Sequence, residues 1–350
     1  MQSSIKNISI KGLSVCVPKQ TVSTFDYEWI SVDERISFEK NTGIKERRVA
    51  NDYITTADMC EKSAIELIKK MNWEKDSIDI LIFVSQSPDY FLPATSAILQ
   101  HKLGLRNDII AFDINLGCSG FIYGLKVISS LMSGESKRGL LLAGDKSTLS
   151  TNYKDKSTYP LFGDAGSATA LEFDSEASSM YFNLFTDGSG FKSIIIEDGG
   201  ARNHISPESF VEQKIADGIE RAPKHLTLDG IEIFNFALKE VVPSIKKLFE
   251  ISKIEESLVD YFVFHQANKL INESIRKKAR LELNKVPYSI ENFGNTSSAS
   301  IPLTLIYQLK KKLEDKELWL LLSGFGVGYS WGNCLLQTKK ITCTDILEIG

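Results

Sequence analysis

Asp113-Ile-Asn-Leu-Gly-Cys118-Ser-Gly-Phe-Ile-Tyr-Gly124 joins the two patterns that decide the fold. Ahead of it, Ile109-Ile110-Ala111-Phe112 is a short apolar run that reads as a buried strand. Behind it, apolar residues from Phe121 to Met132 recur at helical spacing and stop before Gly134. A strand that feeds a helix through a Gly-Cys turn is half of a β-α unit. A cysteine at such a turn faces unpaired backbone N–H groups and the positive end of a helix dipole. That setting favours thiolate over thiol, the form a sulfur nucleophile needs.

The same unit recurs along the chain. A first strand covers 5–17 and turns at Pro18; 21–51 is mixed and charged. Thr55-Thr56-Ala57-Asp58 caps a helix over 57–71. Residues 77–84 form a continuous β-rich run, hence a buried, parallel strand. A helix over 93–103, a strand over 138–143 and a Gly-rich turn into a strand over 162–173 complete the first half. Residues 186–229 are irregular, with Asp187-Gly188-Ser189-Gly190 and Asp198-Gly199-Gly200, and read as an excursion that covers a site. Order returns with a helix over 231–249, interrupted near Pro243. A strand over 258–264 ends at His265. A charged helix (269–280), a short strand-like piece (289–293), a helix (300–313) and strands over 317–322 and 331–338 follow. Residues 339–350 carry no signal.

Three pairs reveal a duplication. Gln86 and Gln266 follow equivalent strands, Cys118 and Asn295 occupy equivalent turns after glycine, and Gly144 and Gly324 end equivalent Leu-Leu-Leu strands. The members of these pairs stand 180, 177 and 180 residues apart. Two similar α/β halves are expected, 1–175 carrying the cysteine and 176–350 carrying histidine and asparagine. In parallel sheets, sites lie beyond strand C-termini, where Cys118, His265, Asn295 and the loop 324–328 all fall.

The 350 residues are 43% hydrophobic and 25% charged, as in ordinary globular proteins, and the net charge of −4 gives no reason to expect nucleic acid. No stretch reaches the ~18 apolar residues of a membrane helix, and the first residues lack the apolar core of a signal peptide. Five scattered cysteines without a CxxC pair fit a reducing cytoplasm rather than a disulfide framework. The four histidines stand far from the cysteines at no ligand spacing, so no metal is expected. Individually, Cys118 reads as a small core residue, His265 as a bonded core histidine, Asn295 as a turn residue and 326–328 as a tight turn. All four fall on homologous strand ends, and together they outweigh those readings.

The segments Asn115-Leu-Gly-Cys118-Ser-Gly-Phe, Phe264-His265-Gln266-Ala267-Asn268, Gly294-Asn295-Thr-Ser-Ser-Ala-Ser-Ile-Pro302 and Gly324-Phe-Gly-Val-Gly-Tyr-Ser-Trp-Gly332 resemble those of β-ketoacyl-acyl carrier protein synthase III, of the thiolase superfamily. Thr42-Gly-Ile-Lys-Glu-Arg47 and Phe162-Gly-Asp-Ala-Gly166 resemble further motifs of that family. The resemblance implies an α/β, thiolase-like duplicated αβαβα fold with two mixed five-stranded sheets, and a homodimer. It implies that Cys118 carries an acyl group, that His265 and Asn295 donate hydrogen bonds to a malonyl thioester, and that the N–H groups of Cys118 and Val327 form the oxyanion hole.

The implied substrates are an acyl thioester, on coenzyme A or acyl carrier protein, and malonyl-acyl carrier protein; no cofactor is implied. Lys277 and Lys278 match carrier-docking positions. Asn268 and Phe162 match substrate-binding positions. Lys156 stands for an arginine that contacts the nucleotide or pantetheine arm, and Leu92 for an aromatic residue lent to the neighbouring subunit's acyl pocket. Ser37 and Asn41 fall where the family clamps adenine between tryptophan and arginine. The segment immediately preceding Pro88 offers no glutamate, unlike the early glutamate of the hydroxymethylglutaryl-CoA synthases. These departures fit a specialised paralogue. An acyltransferase acting on an oxygen, nitrogen or sulfur acceptor, and a non-catalytic carrier-binding subunit, are the alternatives.

Overall fold

The computed structural model describes residues 2–350. Two mixed sheets carry the fold. The first runs in the order Thr342–Ile349, Ile8–Pro18, Ala165–Phe173, Arg138–Asp145, Ile80–Val84, Ile110–Ile114. The second runs Gln2–Ile5, Met180–Thr186, Ser330–Gln337, Trp319–Gly326, Tyr261–Phe264. Ile80–Val84 is parallel to Arg138–Asp145, which is antiparallel to Ala165–Phe173, itself antiparallel to Ile8–Pro18. Tyr261–Phe264, Trp319–Gly326, Ser330–Gln337 and Met180–Thr186 repeat those directions. The duplication seen in the spacing is therefore a duplication of sheet topology.

Side-chain alternation along the central strands builds the layers. Leu141 faces inward with Leu320 and Leu322, against Phe121 and Leu125 of helix Gly120–Leu131 and Leu305 and Leu309 of helix Ser300–Asp315. Leu140 and Leu142 face outward onto Leu67 of helix Thr56–Met71 and Leu99 of helix Thr95–Leu103. Leu321 and Phe262 face outward onto Ile245 of helix Val242–Ser252 and Ile275 of helix Lys269–Ala279. Helix, sheet, paired helices, sheet, helix: this is the expected αβαβα sandwich. No helix among the described residues is long and apolar enough to cross a membrane.

Several expectations are corrected. The first sheet has six strands, because the tail without signal forms Thr342–Ile349 beside Ile8–Pro18. The chain's first strand crosses the other way, Gln2–Ile5 pairing with Met180–Thr186. The halves thus exchange terminal strands, and a cut between 175 and 176 does not separate them cleanly. The strand-like piece at 289–293 is a helical turn, Ile290–Phe293. Ile290 and Phe293 are both buried at i, i+3 spacing, a choice that five residues of sequence cannot decide. Ile110–Ile114 is a half-buried edge strand rather than a central one. Helix Val32–Thr42 was not anticipated, since its charges leave no apolar stripe; its Ser31–Glu34 capping box and left-handed Gly43 were the available signals. The break near Pro243 is a π-helical turn, Ala237–Val241, ahead of the proline that cannot donate an N–H.

Candidate active site

Helix Gly120–Leu131 begins two residues after Cys118, and helix Ser300–Asp315 begins five residues after Asn295. Both start at one cavity of about 460 Å³, lined by Cys118, His265, Asn295, Phe325, Gly326 and Val327 among others. Gly326 lets the two halves meet there: a Cβ at this position would stand 2.6 Å from Cys118 Cβ and 3.1 Å from its Sγ.

Cys118 is half-buried, its sulfur 3.9 Å from Ser297 Oγ. Desolvation pushes its thiol up to about 12, with the Asp145 carboxyl adding to the effect and Ser297 opposing it. The resting sulfur is thus a thiol; the helix end does not make it the thiolate expected from the turn alone. A helix terminus offers about 0.3–1 kcal/mol to a nearby anion, and burial outweighs it here.

His265 is buried, and burial holds its imidazole down at about 3, hence neutral. Its Nδ1 lies 2.8 Å from Ser300 Oγ, whose own hydrogen is donated to Ser297 O at 2.8 Å. Ser300 must therefore accept from Nδ1–H, which leaves the other ring nitrogen, Nε2, with its lone pair. In this state His265 accepts a proton rather than donating one. Phe325 meets the ring edge-on, with centroids 5.6 Å apart.

Asn295 is oriented the other way round. Its Oδ1 accepts from Ser297 N at 2.9 Å, and its NH2 makes only a long 3.4 Å contact to Ala267 O. The amide can still donate into the cavity. Ser297 takes a left-handed backbone, φ 49°, to make this contact. Among the described residues, the N–H groups of Cys118 and Val327 have no carbonyl partner.

Asp145 lies behind the nucleophile, and sequence reasoning missed it. Its oxygens accept from Ser85 Oγ, Gln86 N and the N–H and hydroxyl of Ser298, so one carboxyl ties both halves together. Burial raises its pKa. Gln86 and Ser297 were also missed, although Gln86 was visible as the repeat partner of Gln266.

The outlying predicted residues divide. Phe162 and Asn268 line the cavity. Asn268 also caps helix Lys269–Ala279, its Oδ1 accepting from Ile271 N at 2.8 Å, and Phe162 O accepts from Arg47 of the Thr-Gly-Ile motif at 3.0 Å. Lys156 does not line the cavity; it is bound to Glu34 at 2.8 Å, an acid supplied by the unanticipated helix. Ser37 and Asn41 lie on that same helix, away from the cavity. Trp29 precedes it and donates to Gly218 O at 3.2 Å. Leu92 points to solvent, 86% exposed, beside exposed Phe91 and Tyr90. Lys277 is exposed with no ion-pair partner among the described residues; Lys278 is tethered to Leu238 O at 2.7 Å. Arg276 of the same helix is paired with Glu273.

A duplicated five-layer α/β fold, with cysteine, histidine and asparagine brought from both halves to one cavity, defines the thiolase-type condensing enzymes. Models of 3-oxoacyl-[acyl-carrier-protein] synthase III match residues 112–188, and of its C-terminal part residues 249–338. A β-ketoacyl-[acyl-carrier-protein] synthase III of Clostridium acetobutylicum is 34% identical over 96% of this chain and 100% of its own. A 3-oxoacyl-(acyl-carrier protein) synthase of Burkholderia xenovorans superposes with TM-score 0.94 at 36% identity, covering 100% of this chain and 99% of that one. A priming β-ketosynthase of the R1128 polyketide pathway superposes at 0.80 with 25% identity, covering 96% and 98%. The chain belongs to the 3-oxoacyl-[acyl-carrier-protein] synthase III family.

Proposed function

We propose that the protein condenses an acyl thioester with malonyl-acyl carrier protein, releasing carbon dioxide and giving a 3-oxoacyl-acyl carrier protein. The observation that carries this is the meeting of Cys118, His265 and Asn295 at one cavity beside two N–H groups that have no carbonyl partner among the described residues.

In the first step the thiol of Cys118 gives its proton to His265 Nε2 as sulfur adds to the acyl carbonyl. The tetrahedral oxyanion is held by the N–H groups of Cys118 and Val327. The donor's sulfur leaves with that proton, and the acyl group stays on Cys118 as a thioester. In the second step the malonyl thioester carbonyl accepts from Asn295 NH2. It also accepts from His265, once the Ser300 hydroxyl turns to donate to Nδ1 and the ring proton sits on Nε2. Carbon dioxide departs, its bonding electrons forming an enolate whose oxygen those donors stabilise. The carbanion attacks the acyl carbonyl, the Cys118 sulfur is expelled, and a proton restores the thiol. Phe162 walls the cavity and Asn268 NH2 holds the pantetheine arm.

Lys277 and Lys278 offer the acidic carrier protein a basic docking edge. The open edge strand Ile110–Ile114 and the exposed Tyr90, Phe91 and Leu92 support a homodimer, in which Leu92 reaches the partner's pocket. Sedimentation as a monomer would exclude it. Five cysteines without a disulfide suit the cytoplasm, which cell fractionation checks.

The decisive experiment follows intact mass and carbon dioxide release with acyl thioesters and malonyl-carrier protein. Cys118→Ala should abolish acylation; Asn295→Ala should spare acylation and suppress decarboxylation. Acylation without carbon dioxide release from any malonyl-carrier would leave the acyltransferase reading. Carrier binding without acylation would leave the non-catalytic subunit. The free Asn295 NH2 favours condensation, since only decarboxylation uses it.

A further inference from the structure

The cavity lining is of two kinds. Ile194, Leu226, Leu228 and Ile233, from the excursion and the helix behind it, are apolar, and Gln86, Asn115, Ser147 and Ser150, beyond the strand ends of the first half, are polar; the two kinds meet where Leu226 N donates to Ser150 O at 2.7 Å. None of these four polar side chains has a hydrogen-bond partner among the described residues, whereas neighbouring Ser85 and Ser87 are fully engaged.

Gln86 is the closest of them to the chemistry. A Cβ on Gly117, the residue before the nucleophile, would stand 2.4 Å from Gln86 Oε1. Its carboxamide thus stands next to the turn that carries Cys118 and lines the cavity an acyl group on that sulfur would enter. A plain hydrocarbon there would strip water from the amide and return nothing. Leaving such a group desolvated and unpaired costs about 1–3 kcal/mol. A chain with its own hydrogen-bonding group would instead meet a donor pair and an acceptor.

That group must be uncharged. Among the described residues, the lining offers an anion no free cation. The one nearby ammonium, Lys146 Nζ, is turned to Asn51 O at 2.7 Å. A cationic group would meet the apolar lining, and the lining's acid, Asp145, is already bonded to Ser85, Gln86 N and Ser298.

We propose that the acyl group loaded on Cys118 carries a hydroxyl on one of its first few carbons, read by the side chains of Gln86 and Asn115. This rests on the condensing-enzyme reading and names its primer class.

The test uses the full-length protein with butyryl, 2-hydroxybutyryl and 3-hydroxybutyryl thioesters, each on coenzyme A and on carrier protein. The rate of Cys118 acylation is read by intact mass. One hydroxyacyl thioester should load at least about tenfold faster than butyryl. Gln86→Leu should cut that ratio by about tenfold, and Asn115→Leu should lower it independently. Both side chains are solvated and unbonded, and circular dichroism with a melting curve verifies each variant's fold. Butyryl loading as fast as both hydroxyacyl thioesters overturns the proposal, as does an unchanged ratio in both folded variants. If none of the thioesters acylates Cys118, the condensing-enzyme reading itself falls.

Discussion

Gly326→Ala should silence the nucleophile while leaving the fold in place. Gly326 closes strand Trp319–Gly326 and does not use a left-handed backbone, so alanine is permitted by its φ. The added methyl would stand 2.6 Å from Cys118 Cβ. Non-bonded carbons rest at about 3.5–4.0 Å, so one side must retreat by about 1 Å. The strand is held by the ladder from Trp319↔Gln337 to Gly326↔Ser330, whereas the Cys118 side chain borders a cavity. Because Cβ is fixed to its own backbone, the turn at Cys118 is the part that moves, carrying the sulfur away from its place beside the Val327 N–H. A misplacement of about 1 Å at a reacting atom costs on the order of a hundredfold in rate, or about 2.7 kcal/mol of barrier. Single-turnover acylation followed by intact mass measures it, with Gly188→Ala, whose methyl meets nothing within 4 Å, as the matched control. Acylation within about threefold of the unaltered protein, in a variant of unchanged melting temperature, would refute the claim that this glycine sets the sulfur's position.

Ser300→Ala leaves the buried Nδ1–H of His265 without its acceptor; stability should fall by about 1–3 kcal/mol in denaturant unfolding, and condensation should slow. Wild-type stability would show that the bond contributes nothing. Because burial raises the Cys118 thiol to about 12, the thiolate fraction grows about tenfold per pH unit throughout the working range. Iodoacetamide labelling of Cys118 should therefore keep climbing from pH 7 to 10; a plateau below pH 9 means a thiolate is present at rest. Lys277→Glu should raise KM for carrier-bound malonate about two- to fivefold at low salt, fading as salt screens the exposed charge, without changing turnover of a small pantetheine thioester. An equal effect on both substrates would place Lys277 outside the docking edge.

The repeat made the core legible. Strands such as Arg138–Asp145 and Trp319–Gly326 are buried on both faces, so their Leu-Leu-Leu runs announce them without context. The edges were not legible, because an edge strand is chosen by its neighbour rather than by its own pattern. Thr342–Ile349 leaves six of its eight residues at least partly exposed and is fixed by pairing with Ile8–Pro18. The chemistry was legible only as far as residue types reach. Cys118, His265 and Asn295 could be named from their strand ends. Asp145, which closes the same site, stands on an ordinary strand end where nothing in the sequence says it faces it, and Gln86 was marked only by its repeat partner Gln266. Lys156 failed for a related reason: the helix that supplies Glu34 hid its amphipathic signal, so a contact that neutralises the lysine could not be foreseen.

The duplication also explains why the site is electrically quiet at rest. Two central helices begin at the cavity, and each could have stabilised a standing anion. Instead the sulfur is held as a thiol, the imidazole is neutral, and the buried Asp145 carboxyl is pushed towards its protonated form. Burial does this to all three by one mechanism, since each charged form loses its water. Charge is then most favourable where donors are already aimed and only weakly engaged: at the N–H groups of Cys118 and Val327, and at the NH2 of Asn295 with its long contact to Ala267 O. These are the positions of the tetrahedral oxyanion and the enolate oxygen, neither of which exists in the ground state. Donors that gain their acceptor only during the reaction lower the barrier without tightening the substrate. The raised thiol and the lowered histidine are thus the same design as the free amide, and a resting thiolate–imidazolium pair would have spent that stabilisation before a substrate arrived.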